Sequence, residues 1–484
     1  MSSLRQQTLS GMMWNATGRF SGQALSFVIQ IIIARLLIPD DYGLIGMVAI
    51  FFAVSQVFID SGFTSALIQK HNRTDTDYST VFYFNIAVAV FFYILLFAIA
   101  PLIASFYDRP ILISIVRVVG LVLVINSFSS VQSAKLTIEL NFKAQTQIGI
   151  ISLVISGFIG VVMAYGGFGV WALVTQGLTG AFVSAVLLWF FSKWIPLKEF
   201  SLVSFRQLFS FGSKLLGAGL LDTAYKNIYT LIIGKFFSPK ALGLYSRADQ
   251  FAQFPATNIS GIITTVSYPI LSSIQNEDER LKYIYIQYIR LSAFVVFPVM
   301  MLLAALAYPT VAVLLKSQWL ECALYLQLLC FASMWYPIHA LNLNLLKVKG
   351  RSDLFLRLEI IKKIIGIIML VITVPLGITA MCIGGIVISI VSLVINTHYT
   401  GMLINTGFFK QMKDLLPSLF YSLVMGIMVF FIIKQIDNNF IKLVVGGILG
   451  LAFYILVAYI TKSTELKTLT VISKENINRF KHKK

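Results

Sequence analysis

The sequence has few of the residues that build a catalytic centre, a metal site or a disulfide framework. Its 484 residues include only three cysteines and four histidines. The cysteines are isolated in or beside apolar stretches, and no two histidines have the spacing of metal ligands; these residues are Cys322, Cys330, Cys382, His71, His339, His398 and His482. The sequence has no phosphate-binding Walker loop and no Gly-x-Ser-x-Gly motif. We therefore predict that the chain is not an enzyme and uses no metal and no cofactor.

Charged residues are also scarce, at 12% of the chain, whereas hydrophobic residues make up 58% and the mean hydropathy is +0.84. Runs of about twenty apolar residues recur, and each is long enough to cross about 30 Å of hydrocarbon as a helix. The sequence thus predicts an all-α integral membrane protein of about 14 transmembrane helices, at residues 12–34, 43–67, 80–104, 111–133, 147–166, 169–191, 211–234, 241–273, 287–308, 322–346, 354–374, 377–398, 415–433 and 442–461. Pro255 and Pro269 predict that the eighth is kinked or broken.

The net charge of +18 is distributed by loop, which argues against a nucleic-acid partner. The N-terminus, the even-numbered loops and the tail carry 22 of the loop cations, and the opposite loops carry 7. Because cytoplasmic loops are enriched in lysine and arginine, this pattern predicts that both termini are cytoplasmic. An even number of spans gives the same result.

A short motif recurs after 200 residues. Residues 35–44 read RLLIPDDYGL and residues 235–244 read KFFSPKALGL, so that a basic residue, a proline and a glycine coincide. Six spans separate the copies, which predicts a parallel repeat. We expect an N-terminal lobe of six helices in residues 1–191, a linker at 192–210, a second six-helix lobe at 211–398, two added helices at 399–461 and a basic tail at 462–484.

Polar side chains form a stripe on the first span and another on the seventh. Asn15, Arg19, Gln23, Ser26 and Gln30 share one helix face, and the repeat relates them to Lys226 and its neighbours. Asp222 and Lys226 are four residues apart, a spacing that permits an ion pair. The eighth span adds Arg247, Asp249, Gln250 and Gln253.

Hydrocarbon does not solvate these groups, so we expect them to line an interior cavity. Arg19, Lys226 and Arg247 would make the cavity cationic and suited to phosphate or diphosphate. Asp60, Asp222 and Asp249 would hold these cations in place or bind a coupling proton or sodium ion, and the residues leave both roles open. For Asp60, Lys214, Arg290 and the charges at 357–363, a position near a helix end is the simpler interpretation.

Three ordered segments resemble the Wzx-type polysaccharide flippases, in the branch of colanic-acid and teichuronic-acid exporters. They are residues 35–70, residues 241–275 with the run GLYSRA at 243–248, and LLKSQWLECALYLQLL at 314–329 followed by KGRSD at 349–353. At the position of Lys316, relatives usually have glycine. The resemblance covers residues 8–400 and implies the MATE-like fold of the multidrug/oligosaccharidyl-lipid/polysaccharide (MOP) exporter superfamily. It also implies that Arg19 and Arg247 are cavity cations, with Lys226 where relatives carry arginine or a polar group.

The function implied by the resemblance is the flipping of undecaprenyl-diphosphate-linked oligosaccharide to the periplasmic leaflet by alternating access. The expected partners are this lipid-linked glycan, the bilayer, a coupling H⁺ or Na⁺, and a polysaccharide polymerase or glycosyltransferase complex. Lipid II export and cation-coupled drug antiport are alternatives within the superfamily. A membrane glycan polymerase or ligase is a third, which the short external loops disfavour.

Overall fold

The computed structural model describes residues 18, 21–60 and 62–471. Every regular element in these residues is a helix. The chain divides into two compact units, Met1–Gly243 and Leu244–Lys484. The lobe boundary predicted at 192–210 does not coincide with the division between these units after Gly243, and it stays a prediction.

Unit 1 is built from long apolar helices joined by short turns. They are α1 (Ser21–Leu36), α2 (Pro39–Asp60), α3 (Phe63–Gln69), α4 (Asp75–Tyr107), α5 (Ile111–Val119), α6 (Leu121–Ser127), α7 (Ser130–Ile138), α8 (Phe142–Tyr165), α9 (Val170–Ser192) and α10 (Leu202–Phe236). Helix α10 packs against α2, α3 and α4. The seventh predicted span therefore belongs to the same compact unit as the first six.

Unit 2 continues from α11 (Pro239–Ser273), which starts in unit 1. It contains α12 (Asp278–Ala305), α13 (Ala307–Leu315), a 3₁₀ turn (Ser317–Trp319), α14 (Cys322–Ser333), α15 (Tyr336–Val348), α16 (Ser352–Thr373), a second 3₁₀ turn (Val374–Leu376), α17 (Ile378–Ile404), α18 (Phe408–Lys434), α19 (Asn439–Ile460) and a last helix, α20, at 464–471. Helices α12 and α18 pack together along much of their length.

Within the described residues, each predicted span coincides with helix, and ten helical segments there are long and apolar enough to cross a membrane. The other four predicted spans are α1, described over 16 residues, and the more polar α10, α11 and α16. The prediction of a polytopic helical membrane protein is confirmed, and the count of fourteen stays a prediction. The second, fourth and tenth spans are interrupted, at residue 62, at 120 with 128–129, and at 334–335.

The eighth predicted span is a single helix rather than a broken one. Helix α11 runs without interruption through Pro255 and Pro269. Side chains provide local hydrogen bonds along the same stretch, since Thr257 Oγ1 donates to the Gln253 carbonyl and Asn258 Nδ2 donates to that of Phe254. The prolines are accommodated without ending the helix, as is common in membrane helices.

The repeated motif begins a helix in both copies, with proline at the first helical position. Pro39 and Pro239 occupy these positions, where a missing N–H costs nothing and φ is already helical. In the first copy the Asp41 carboxylate accepts the N–H of Ile38 at 3.2 Å, whereas in the second the Ser238 hydroxyl accepts the N–H of Ala241 at 3.1 Å. Each copy thus keeps one half of a capping box.

The two glycines of the repeat lie against each other's motif. A Cβ atom on Gly43 would overlap the carbonyl of Pro239, and one on Gly243 would overlap the carbonyl of Pro39. Both contacts lie inside unit 1. The close approach of two backbones explains why both copies retain glycine at this position.

Replacing Gly43 by alanine tests this contact. We expect Gly43→Ala to lower the melting temperature of the purified protein by an amount equivalent to ~1–3 kcal/mol, because the proline carbonyl has to move. Gly149→Ala on α8 is the control, since a Cβ there meets no atom within 4 Å. Its melting temperature should be unchanged or slightly higher, because alanine favours helix. Equal melting temperatures for the two variants would contradict the contact.

Candidate functional site

The polar stripe of the first span is partly described. Asn15 and Arg19 lie outside the described residues, whereas Gln23 and Gln30 are half-buried on α1. Ser26, on the same face, lines a cavity of about 410 Å³ between α1 and α8, together with Gly22, Gln145, Thr146, Gly149 and apolar neighbours. The cavity has hydroxyl and amide groups but no charged side chain among its described lining residues.

The ion pair permitted by the spacing on α10 is present. Lys226 Nζ lies 2.7 Å from Asp222 Oδ2, and the two side chains are 70% and 48% exposed. An isolated charge at the bilayer centre costs on the order of 3 kcal/mol, and pairing reduces that cost. The amine remains accessible to a further ligand because so much of its surface is open.

Asp60 is the last residue of α2, beside the interruption in the second predicted span. Its Oδ1 accepts a hydrogen bond from Gln56 Nε2 at 3.0 Å, one turn earlier on the same helix. Asp60 thus lies at a break within the candidate span Pro39–Gln69, and its role stays a prediction.

In unit 2, Arg247 is buried in protein, with 4% of its surface exposed. It donates to Gln250 Oε1 within α11, and its guanidinium carbon lies 5.9 Å from the centre of the Trp319 ring. Asp249 and Gln253, one turn apart on α11, are half-buried. The structure therefore brings together two of the segments that carry the family resemblance, at 243–248 and 314–329.

The turn that presents Trp319 begins at a strained residue. Lys316 has φ 75° and ψ 177°, a region populated almost only by glycine. Trp319 follows in the 3₁₀ turn Ser317–Trp319 and is fully buried. The backbone at position 316 thus has a conformation that favours glycine, although the residue here is lysine.

The sequence analysis missed one embedded cation, Arg117. It lies on α5, inside the predicted fourth span, and its guanidinium carbon is 4.2 Å from the centre of the Phe97 ring on α4. Its Nε is buried and has no hydrogen-bond acceptor. Scanning the spans for charges could have found Arg117, but its lack of a partner depends on tertiary structure.

Other embedded charges form ion pairs near helix ends or on one helix face. Arg290 Nε lies 2.6 Å from Glu465 Oε1 of α20, and Arg290 Nη1 is 4.0 Å from Asp414 Oδ1 of α18. Lys362 pairs with Glu359 on α16. These contacts support the structural interpretation of Arg290 and of the charges at 357–363.

A buried polar network in unit 2 was not predicted. His339 Nδ1 lies 3.1 Å from Asn396 Nδ2, and His339 Nε2 lies 3.2 Å from Ser389 Oγ. Between α15 and α18, Asn342 and Gln411 exchange two hydrogen bonds of 3.2 Å through their amides. Interhelical bonds of this kind hold membrane helices together. In the part of the chain that the structure describes, no cluster of His, Cys, Asp and Glu is arranged to hold a metal ion.

The strain at Lys316 can be removed by one substitution. We expect Lys316→Gly to raise the melting temperature, by an amount equivalent to ~1–3 kcal/mol less the added entropy of the unfolded chain. Lys316→Ala removes the same charge and stem but keeps Cβ, so it should give no comparable gain. A gain in both variants would assign the effect to the lysine side chain rather than to the backbone.

The fold matches solved transporters at low sequence identity. A lipid II flippase, MurJ, in an inward closed conformation superposes with a TM-score of 0.77 at 14% identity, covering 93% of this chain and 98% of that one. An inward-facing MATE family multidrug resistance transporter of the MOP superfamily gives 0.62 at 15% identity, covering 80% and 96%. These similarities establish the fold alone.

Sequence relatives have names from polysaccharide export and biosynthesis. The teichuronic acid biosynthesis protein TuaB of Bacillus subtilis is 26% identical over 73% of this chain and 74% of its own length. The lipopolysaccharide biosynthesis protein WzxC of Escherichia coli is 24% identical over 74% of each. The succinoglycan biosynthesis transport protein ExoT of Rhizobium meliloti is 27% identical over 63% of this chain and 62% of its own.

A model of one protein family matches residues 32–324, more than half of the chain. The match includes the duplicated turn, α10, and the contact between Arg247 and Trp319. The protein belongs to the polysaccharide biosynthesis protein family, and it is a multi-pass helical membrane protein with the fold of MOP superfamily transporters.

Proposed function

We propose that this protein is a flippase for undecaprenyl-diphosphate-linked oligosaccharide repeat units. It would move them across the bacterial inner membrane by alternating access, for the synthesis of a surface polysaccharide such as O-antigen, capsule or exopolysaccharide. It acts as a transporter rather than an enzyme, and both termini face the cytoplasm.

The observation that carries the proposal is a family of polysaccharide biosynthesis proteins combined with the fold of a lipid flippase. The relatives TuaB, WzxC and ExoT are named for three different polysaccharides. We therefore take the feature that substrates of the family share to be the lipid-linked carrier and not one sugar. A carrier diphosphate is the part of such a substrate that every member of the family could recognise.

The charges of the polar helices support an anionic substrate. Lys226 is widely exposed on α10 although it is paired with Asp222, and lysine readily binds phosphate as a point charge. Arg247 is buried against Trp319, which fits it for holding the α11 segment in place as well as for binding. Arg19 is the third member of the proposed cationic set.

Energy for transport would come from the membrane potential or from an ion gradient. An anionic substrate is driven towards a positive outside by ~2.3 kcal/mol per charge and 100 mV. Asp60, Asp222 and Asp249 are the candidates for binding a coupling H⁺ or Na⁺, with Gln23, Gln30, Gln250 and Gln253 as polar neighbours.

Lipid II export is the main alternative, because MurJ has the same fold. The relatives with 24–27% identity are named for polysaccharides, and this favours a glycan repeat unit. Drug and cation antiport is disfavoured because the polar helices α10 and α11 carry the cations Lys226 and Arg247 in addition to the carboxylates Asp222 and Asp249.

Deleting the gene in a host with a defined surface polysaccharide tests the proposal. We expect the polysaccharide to disappear from the surface and lipid-linked repeat units to accumulate in the cytoplasmic leaflet, because the units are made but not flipped. Mass spectrometry measures the amount of extracted lipid-linked glycan. A glycan-binding probe that cannot cross the membrane measures how much of it lies in each leaflet. Normal surface polysaccharide in the deletion strain, with no accumulation, would refute the proposal.

A single substitution tests the role of the α10 cation. We expect Lys226→Ala to abolish complementation of the deletion while the protein level stays normal, because the side chain is 70% exposed and supports no core packing. Lys226→Arg should restore part of the export, since it keeps the charge. Lys198→Ala, in the exposed segment before α10, is the matched control and should complement fully. Full complementation by Lys226→Ala would exclude this residue from the site.

A further inference from the structure

Arg117 is an embedded cation on α5 for which the described residues provide no anionic partner. Its guanidinium rests on the Phe97 ring at 4.2 Å, and no hydrogen bond or ion pair to protein accompanies that contact in the described residues. The side chain is half-buried, and its Nε is fully buried without an acceptor. An arginine offers five N–H donors, and none of them is satisfied here by protein.

Lys235 makes the same kind of contact with a second phenylalanine of α4, but protein groups also provide it with a hydrogen-bond acceptor and a carboxylate. Its amine lies 4.8 Å from the centre of the Phe106 ring on α4, as Arg117 lies over Phe97. Lys235 also donates to the Phe106 carbonyl and lies 3.9 Å from Asp108 Oδ2. Within the described part of unit 1, Lys235 therefore has acceptors from protein, whereas Arg117 has none.

The position of Arg117 in its helix places it below the membrane surface. It is six residues after Ile111, the start of α5, which corresponds to about 9 Å along the axis. Phe97 is ten residues before the end of α4 at Tyr107, or about 15 Å. Both estimates put the guanidinium within the apolar layer but within reach of its boundary. The anions at that boundary, which a long arginine side chain can reach, are the phosphates of lipids.

We propose that Arg117 binds a phosphate group of a membrane lipid. The planar guanidinium matches phosphate through two parallel N–H···O bonds, and the Phe97 ring, whose centre lies 4.2 Å from the guanidinium carbon, is not an acceptor that would compete for them. The phosphate has two sources: the diphosphate of the transported lipid-linked glycan, an assignment that rests on the proposed function, and the headgroup of a bilayer phospholipid.

The test uses the full chain in nanodiscs of phosphatidylcholine, titrated separately with undecaprenyl diphosphate and with phosphatidylglycerol. Undecaprenol, which lacks phosphate, is the ligand control. We expect Arg117→Gln to weaken binding of at least one phosphate ligand by about tenfold or more, because a charge-assisted hydrogen-bond pair is lost. Lys235→Gln is the matched control variant, since that cation is already neutralised by protein, and its affinities should remain within about twofold of wild type.

The outcome identifies the source of the phosphate. A loss confined to undecaprenyl diphosphate assigns Arg117 to the substrate, and a loss confined to phosphatidylglycerol assigns it to bilayer lipid. Unchanged affinity for both ligands in Arg117→Gln would overturn the proposal. If the wild-type protein binds phosphatidylglycerol but no undecaprenyl diphosphate, the proposed substrate is wrong, and the phosphatidylglycerol arm still decides the role of Arg117.

Melting temperatures would reveal whether Arg117→Gln fails to fold. A second variant tests the proposal in that case. Arg117→Lys keeps the positive charge and loses the two-pronged geometry. We expect it to bind the phosphate ligand several-fold more weakly than wild type and to retain the melting temperature. Wild-type affinity for both ligands in Arg117→Lys, with Arg117→Gln unfolded, would assign Arg117 to stability alone and overturn the proposal.

Discussion

The whole structure depends on the inability of hydrocarbon to satisfy a polar group. Because lipid offers neither hydrogen bonds nor counter-charges, the backbone of the described residues is almost entirely helical. The same constraint decides the placement of side chains, since each embedded charge needs a partner or a wet surface. Lys226 finds Asp222 one turn away, and Arg290 finds Glu465 on the last helix. Arg117 is informative because it departs from this rule.

The sequence predicted best what depends on local spacing. Hydrophobic run length predicted every long helix, and the four-residue interval predicted the pair of Asp222 and Lys226. The interruptions of three spans were missed because an apolar run has the same composition whether its helix is continuous or broken. Of the kink or break predicted from Pro255 and Pro269, the break is absent, since α11 continues through both prolines, as is common in membrane helices.

Contacts between distant residues could not be predicted from spacing. Arg247 was identified as a cation of the site, but its burial against Trp319 joins residues that are far apart in sequence. The resemblance to a family quoted both segments without indicating that they touch. Similarly, the sequence has lysine at position 316 where relatives usually have glycine, and only the backbone angle of 75° reveals that this position has a conformation that favours glycine. Asn15 and Arg19 lie outside the described residues, so their part of the site rests on sequence alone.

The duplication has a physical role beyond its use as a sequence signal. Gly43 and Gly243 each lie against the proline carbonyl of the other copy, so neither motif could gain a side chain without displacing its counterpart. The copies have nevertheless diverged in how they cap their helices, with Asp41 in one and Ser238 in the other. The contact constrains only the two backbones, and the side chains around it are free to differ. A duplicated scaffold of this kind can keep its geometry at the shared turn while the helices of its two copies acquire different charged residues. In the second copy these include Lys226 on α10 and Arg247 on α11.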